Sequence, residues 1–491
     1  MRTIFGILAA GLLLGGKVTI AQERLYTSFT QEDLIKDWKL AMDILGVQHP
    51  NPYKFTDSLE YKRQTASLLG KMASAPDIPA CSRYAPIRLL RDVHTSMGYA
   101  ADDGRMLYSQ MRLFPLPVLI ERGKMLVNIR GEAIPFGAEI LRINQEPVDT
   151  LLDIIAGATY SDGFIETGVD RVYSDFQTRY SLHYATRTSY DIEYRAPGEK
   201  QIRRAQLPAA DPQRAFKSQN LAVVPVNLLE RSQVIYPSYD EKQNTGILTV
   251  NSFAVQEAYA YKEFSEFFKE VNKRGYKHVV IDVRTNGGGN PAISALLFSF
   301  LARQPFRNEY NYRTRTIGIT NREYLVNENG GPMSEEEIRN LLNFMYQRFD
   351  LDTASGYYLG NARLREGLLE NFPPDKDSFK GNVYVLTGGG TVSAATYFAS
   401  LVQKNKRGLI VGKETGSGEQ STTAAWFLRY KLPNTKSILT VPMSEIFFFN
   451  ATNDNGRGVI PDREVPLEKY LDYVRSAKDP ELNYVFGLTG K

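Results

Sequence analysis

The chain has 491 residues, 43% of them hydrophobic, 23% charged and 11% aromatic. At about 100–200 residues per domain this gives two to four domains, and it excludes global disorder. A single cysteine, Cys81, excludes a disulfide-knit fold, and a formal charge of +4 lacks the dense basic footprint of a nucleic-acid binder, so no nucleic-acid partner is expected.

Residues 1–21 read as a secretory signal peptide. Arg2 supplies the positive n-region and Ile4 to Gly16 the apolar run, and Thr19 and Ala21 sit at the small-residue positions before Gln22. Lys17 interrupts the run short of the roughly 20 apolar residues a membrane anchor needs. No later segment is long and apolar enough to span a bilayer, so the mature protein is expected to be soluble and exported, to a periplasm or the medium, without stable membrane insertion.

Residues 22–104 predict a helical N-terminal domain. Thr30 with Glu32 and Asp33 marks a helix start, and His49-Pro50-Asn51-Pro52 ends that helix. Further helices are expected near 58–74 and 82–93. Over 105–225 short β-rich runs take over, among them 125–129 and 139–143, punctuated by Arg122-Gly123 and Gly137. Gly137, the strand Ile140 to Ile143, a turn at Asn144 and a helix from Val148 resemble the core of a PDZ domain. A plain hairpin followed by a helix fits the same residues.

From 226 to 475 the pattern is α/β. Buried strands at 246–250, 278–283, 383–387 and 408–411 alternate with helices near 257–274, 291–303 and 393–405, which indicates a largely parallel sheet. Residues 306–380 form an insertion in which Ser334 caps a helix beginning with three glutamates. Residues 476–491 are a C-terminal tail.

Two glycine triplets follow two of these strands. Thr285-Asn286-Gly287-Gly288-Gly289-Asn290 exposes backbone N–H groups suited to an anion or oxyanion; a tight strand-to-helix turn would use the same residues. Gly388-Gly389-Gly390-Thr391-Val392-Ser393-Ala394-Ala395 places Ser393 at a helix start, where a serine is commonly only an N-cap. Two such ends side by side form the crevice where open α/β sheets bind ligands. Other motifs fail. Gly390 to Ala394 is not G-x-S-x-G, residues 408–414 are not a P-loop, and four histidines with one cysteine give neither H-E-x-x-H nor a structural zinc set, so no metal or cofactor is expected.

Four segments in order resemble the serine peptidases that include C-terminal processing (tail-specific) proteases, the tricorn core and the interphotoreceptor retinoid-binding protein. They are Val280 to Gly289, Gly389 to Ala395, Ile410 to Gly416, and Gly456-Arg457-Gly458-Val459-Ile460-Pro461-Asp462. The resemblance implies a multidomain α/β protein. Its catalytic core would be Clp-protease/crotonase-like, preceded by a helical N-terminal domain and a PDZ-like β-rich domain. It implies Ser393 as nucleophile, with an oxyanion hole from Ala394 N–H and a glycine among Gly288 and Gly289. The branch with a lysine base is disfavoured, because Gly418 stands at the lysine position. In the tricorn-like branch the base is a histidine, and Asp92-Val93-His94-Thr95 matches its D-x-H-T pattern, which assigns His94. The acid of that branch falls near Asp454 and Asn455, with Asp454 the nearest carboxylate. Asp462 and Glu414 are expected to be structural.

The leading expectation is a secreted serine endopeptidase acting on peptide or protein substrates. Two others stand beside it: a non-proteolytic protein binding an apolar ligand or peptide, with Trp426-Phe427 and Phe447-Phe448-Phe449 lining a pocket rather than filling the core, and an acyl esterase using the same serine. Cys81 is expected to be a buried small apolar residue.

Overall fold

The structure is a computed structural model that describes residues 29–76, 78–98, 108–157, 161–184, 187–224, 233–365, 371–449, 451 and 454–489. The expected signal peptide lies outside these residues.

Helix α1 (Gln31–Gln48) starts on Thr30, whose hydroxyl accepts the Asp33 N–H while the Asp33 carboxylate accepts the Thr30 N–H. It buries Leu34, Trp38, Ala41, Ile44 and Leu45. Helix α2 (Ser58–Ala73) is capped by Asp57, which accepts from the N–H groups of Leu59 and Glu60. The helix expected over 82–93 does not form. One turn at Ile78–Ser82 and a 3-10 turn at Pro86–Leu90 end at Arg91, whose φ is 50°. Pro86 has no N–H to donate, and the Asp92 carboxylate draws the His94 N–H into a local turn. Ser96–Gly98 then pairs as a strand with Ile438–Thr440. Cys81 is buried, as expected.

An antiparallel sheet follows, β1 (Val118–Glu121), β2 (Lys124–Val127), β3 (Glu139–Ile143), β4 (Ser189–Arg195) and β5 (Ile202–Pro208), paired in that order. Helix α3 (Val148–Gly157) buries Leu151, Leu152 and Ile155 in this sheet's own apolar cluster, beside Phe114, Phe176, Tyr180 and Tyr190.

The α/β part contains β6 (Ile235–Asp240), β7 (Thr245–Val250), α4 (Glu257–Arg274), β8 (His278–Asp282) and α5 (Pro291–Ser299). The insertion supplies β9 (Tyr310–Thr314) and α6 (Glu335–Arg348), the latter started by a capping box between Ser334 and Glu337. Then come β10 (Asn382–Thr387), α7 (Ala394–Lys404), β11 (Leu409–Gly412), β12 (Ser421–Ala424), β13 (Ser444–Phe448), α8 (Leu467–Arg475) and α9 (Pro480–Thr489). The main sheet runs β11-β10-β8-β7-β6, parallel except for β6 at its edge. One face packs against α5 and α7 through Phe298, Tyr397 and Phe398. On the other, Val485 of α9 meets Val280, Leu386 and Val411. Arg284, two residues beyond β8, donates to Asp282, Asp479 and Glu481 at 2.6–3.0 Å and so ties α9 to the turn that follows.

β9 pairs with β13 and β13 with β12 in a second antiparallel sheet. Trp426 packs among Tyr312, Phe344 and Phe349, and Phe448 against Tyr310 and Tyr397. These aromatics fill the core; Phe427, 44% exposed, does not. No helix among the described residues is long and apolar enough to cross a membrane.

Candidate active site

β8 and β10 are parallel neighbours, so the two glycine turns leave the same edge of the sheet side by side. Asn286, fully buried, joins them. Its Nδ2 donates to the Val250 carbonyl (3.0 Å), its Oδ1 accepts the Gly288 N–H (2.9 Å), and its carbonyl accepts the Val392 N–H (3.0 Å). Thr391 Oγ1 accepts the Gly388 N–H (3.0 Å) and donates to the Val283 carbonyl (2.8 Å). The turns approach so closely that a Cβ at residue 390 would lie 2.6 Å from the Arg284 carbonyl oxygen.

Ser393 has φ 58° and ψ −123°, a conformation that costs a non-glycine residue about 1–3 kcal/mol. It stands at the N-cap position of α7 but its side chain makes no capping hydrogen bond, so it is not there as a plain cap. Its N–H donates to Ser417 Oγ (2.7 Å), and Ser417 Oγ donates to Thr396 Oγ1 (2.8 Å). Gly288 abuts it: a Cβ at residue 288 would lie 2.6 Å from Ser393 Cβ and 3.1 Å from the Ala394 nitrogen. Among the described residues the N–H groups of Ala394 and Gly289 have no acceptor, whereas that of Gly288 is taken by Asn286. Of the two glycines expected as oxyanion donors, Gly289 is the one with a donor to offer.

His94 is half-buried. Its Nδ1 lies 3.2 Å from Thr422 Oγ1, and its ring stacks on Phe427 with centroids 6.3 Å apart. Its backbone N–H donates to Asp92 Oδ1 (2.8 Å). The other Asp92 oxygen accepts the Thr95 hydroxyl and lies 2.9 Å from His49 Nε2. Because His49 Nδ1 accepts the Asn51 N–H (3.1 Å), the His49 proton must sit on Nε2. Burial pushes the Asp92 carboxyl up, but the hydrogen bond from His49 and the attraction of the two imidazoles outweigh it and hold Asp92 well below the usual carboxylate range.

A second carboxylate, joined to the His94 ring through Thr422, is one the sequence did not suggest. Asp162 Oδ1 accepts the Val93 N–H (2.9 Å), and its Oδ2 accepts the Gly418 N–H (3.0 Å) and the Thr422 hydroxyl (2.7 Å). Burial first, then the charge of Asp92, push its carboxyl above the usual range. As a residue before a glycine, Asp162 reads only as a turn former, and no spacing ties it to His94. Asp92, His94 and Asp162 come within 4.8 Å of one another, a spacing that could hold a cation. All four carboxylate oxygens already accept hydrogen bonds, so no metal is assigned here.

Asp454, the acid expected from the sequence, is engaged elsewhere. Its Oδ2 lies 2.5 Å from both Lys54 Nζ and Ser421 Oγ, and its Oδ1 accepts the Gly456 N–H (2.8 Å). Burial alone would lower Lys54, but Glu445 and Asp454 raise it, keeping the cation paired with both. Among the described residues Asp454 makes no bond to His94. The side chain is short, and the buried Lys54 ammonium holds it. Glu414 accepts from Arg457 and the Gly458 N–H, and Asp462 accepts the Ile410 N–H; both are structural, as expected.

Residues 244–465 match the profile of peptidase family S41. A search of curated protein sequences finds no match. Among solved structures, mature CPAF complexed with lactacystin is similar over 94% of this chain and 98% of that one, at 14% identity and a TM-score of 0.61, a likeness of fold. The photosystem II D1 C-terminal processing protease aligns over 94% of this chain and 97% of its own, at 14% identity and a TM-score of 0.39. The tricorn protease aligns over 94% and 37%, at 17% identity and 0.36. The multidomain α/β class and the Clp-protease/crotonase-like core expected from the sequence stand.

Proposed function

We propose that this serine-type peptidase, with its S41 domain over residues 244–465, is exported and cleaves peptide bonds through an acyl-enzyme on Ser393, with His94 as general base. Ser393 Oγ attacks the scissile carbonyl carbon while its proton passes to His94 Nε2. The developing oxyanion is held by the N–H groups of Ala394 and Gly289. Collapse delivers the His94 proton to the leaving amine, and water, activated by the same imidazole, releases the acyl group. The sheet β1–β5 is proposed to be a PDZ-like unit that takes an extended peptide end by strand addition.

The observation that carries this reading is the conformation of Ser393: strained, uncapped, and next to two N–H groups without acceptors. Ser393 and His94 are not hydrogen-bonded in the structure; they are joined through Ser417, Gly418, Asp162 and Thr422. A serine-reactive fluorophosphonate tests the reading. Folded protein is expected to label at Ser393, and Ser393→Ala not to label. An unlabelled wild-type chain that carries a bound apolar ligand would instead favour the binding protein on the same fold, and turnover of esters without peptides the esterase.

A further inference from the structure

We propose that Asp162, acting through the hydroxyl of Thr422, is the acid partner of His94 and fixes which imidazole nitrogen is free to take the Ser393 proton. This rests on the reading of Ser393 and His94 as nucleophile and base.

Thr422 Oγ1 has one proton and two polar neighbours, Asp162 Oδ2 at 2.7 Å and His94 Nδ1 at 3.2 Å. The proton goes to the carboxylate, the shorter and charge-assisted bond. Toward His94 the hydroxyl can then only accept, so Nδ1 must carry the imidazole proton and Nε2 a lone pair. An ionised Asp162 is what its surroundings call for, because the N–H groups of Val93 and Gly418 and the Thr422 hydroxyl all donate to it. A neutral acid there would turn the chain around: Asp162 would donate to Thr422, Thr422 to Nδ1, and Nε2 would hold the proton.

The same carboxylate locates the parts. Val93 precedes His94, and Gly418 follows Ser417, the acceptor of the Ser393 N–H. Asp162 thereby spans the segment carrying the base and the one holding the nucleophile. During attack the Ser393 proton moves to Nε2, and the imidazolium's Nδ1–H donates to Thr422 Oγ1. The Thr422 proton stays on Thr422, aimed at Asp162, whose negative charge stabilises the cation. No proton reaches the carboxylate. Asp162 and Thr422 are positioning residues, since neither touches the reacting atoms.

The titratable groups facing His94 are Asp92, with His49 behind it, and Asp162. Raised by burial, Asp162 protonates at a higher pH than an ordinary aspartate, and doing so reverses the tautomer.

The test uses the full chain and two readouts. In histidine-labelled protein, 15N shifts are expected to show His94 protonated on Nδ1 near neutral pH, and Thr422→Val to abolish that preference. The fluorophosphonate labelling rate, followed from pH 5 to 9, is expected to fall at least about 100-fold in Thr422→Val and Asp162→Asn and to stay within about fivefold in Thr422→Ser, with the acid limb shifted in the variants. Asp162→Asn leaves a buried donor facing a donor and risks misfolding, so the Val/Ser pair at 422 decides. Wild-type rates in Thr422→Val, or His94 protonated on Nε2 in the wild type, overturn the proposal. A chain that never labels yet shows the Nδ1 tautomer, lost in Thr422→Val, upholds the relay and refutes the peptidase reading instead.

Discussion

Ser393 is held at φ 58°, ψ −123°, a region glycine enters without strain and serine does not. Ser393→Gly is therefore expected to raise stability by about 1 kcal/mol, read as a higher urea midpoint, while labelling is lost; an unchanged or lower midpoint would mean that the turn holds no such strain. Gly288 shows the reverse constraint. With φ 99° and no room beside Ser393 Cβ, Gly288→Ala is expected to remove labelling although Ser393 and His94 remain, checked against retained far-UV circular dichroism. Residues of this kind were legible in the sequence because their requirement is local: a strand, a glycine run and a small-residue helix start lie within about ten positions. Asp162 was not legible. The role proposed for it depends on three donors at positions 93, 418 and 422 that only the fold brings to it.

Among the elements, α9 carries an unusual titration. An unfolded glutamate titrates near 4.3, whereas Glu481 is pushed up to about 7, by burial first and against the pull of Arg284. Between about pH 4.5 and 7 the folded chain holds a proton the unfolded chain has released. Stability therefore falls as pH rises through this window, by an amount on the order of a few kcal/mol, and the loss is complete above it. Glu481→Gln is expected to flatten the unfolding midpoint between pH 5 and 8; a wild-type slope in the variant would place the titration elsewhere. Elements with strong periodic burial were read correctly, as α1, α2, α4 and the four parallel strands show. The expected helix at 82–93 was not, because its apolar residues share the segment with Pro86 and with Asp92, which competes for backbone N–H groups. The strand at Ser96–Gly98 has no pattern of its own and exists through its partner at 438–440.

At the scale of the whole molecule, the candidate site is assembled from distant parts of the chain: the proposed base His94 from a turn after the first helices, Asp162 from the segment after α3, and Ser393 with the N–H groups beside it from the main sheet. Gly389 marks one seam between them, for a Cβ there would lie 1.6 Å from the Thr167 carbonyl oxygen. Gly389→Ala is expected to destabilise by about 1–3 kcal/mol and to raise amide hydrogen exchange over residues 161–176 more than over α7; uniform exchange would mean that the seam transmits nothing. The order of parts was readable from motifs that follow one another along the chain. The proposed acid was not, because the carboxylate expected near the last motif, Asp454, is bound by Lys54 from the N-terminal region.

The clamp on Arg284 bears on the order of events during synthesis. The glycine turn proposed to hold the oxyanion begins one residue after Arg284, yet two of the three carboxylates that hold this arginine, Asp479 and Glu481, lie almost 200 residues later. A nascent chain can carry Ser393, His94 and Asp162 outside the ribosome while Arg284 still has only Asp282 for a partner. The turn is secured last, by residues translated after every other part of the proposed site, so an incomplete chain lacks the tether that would hold this glycine turn in place.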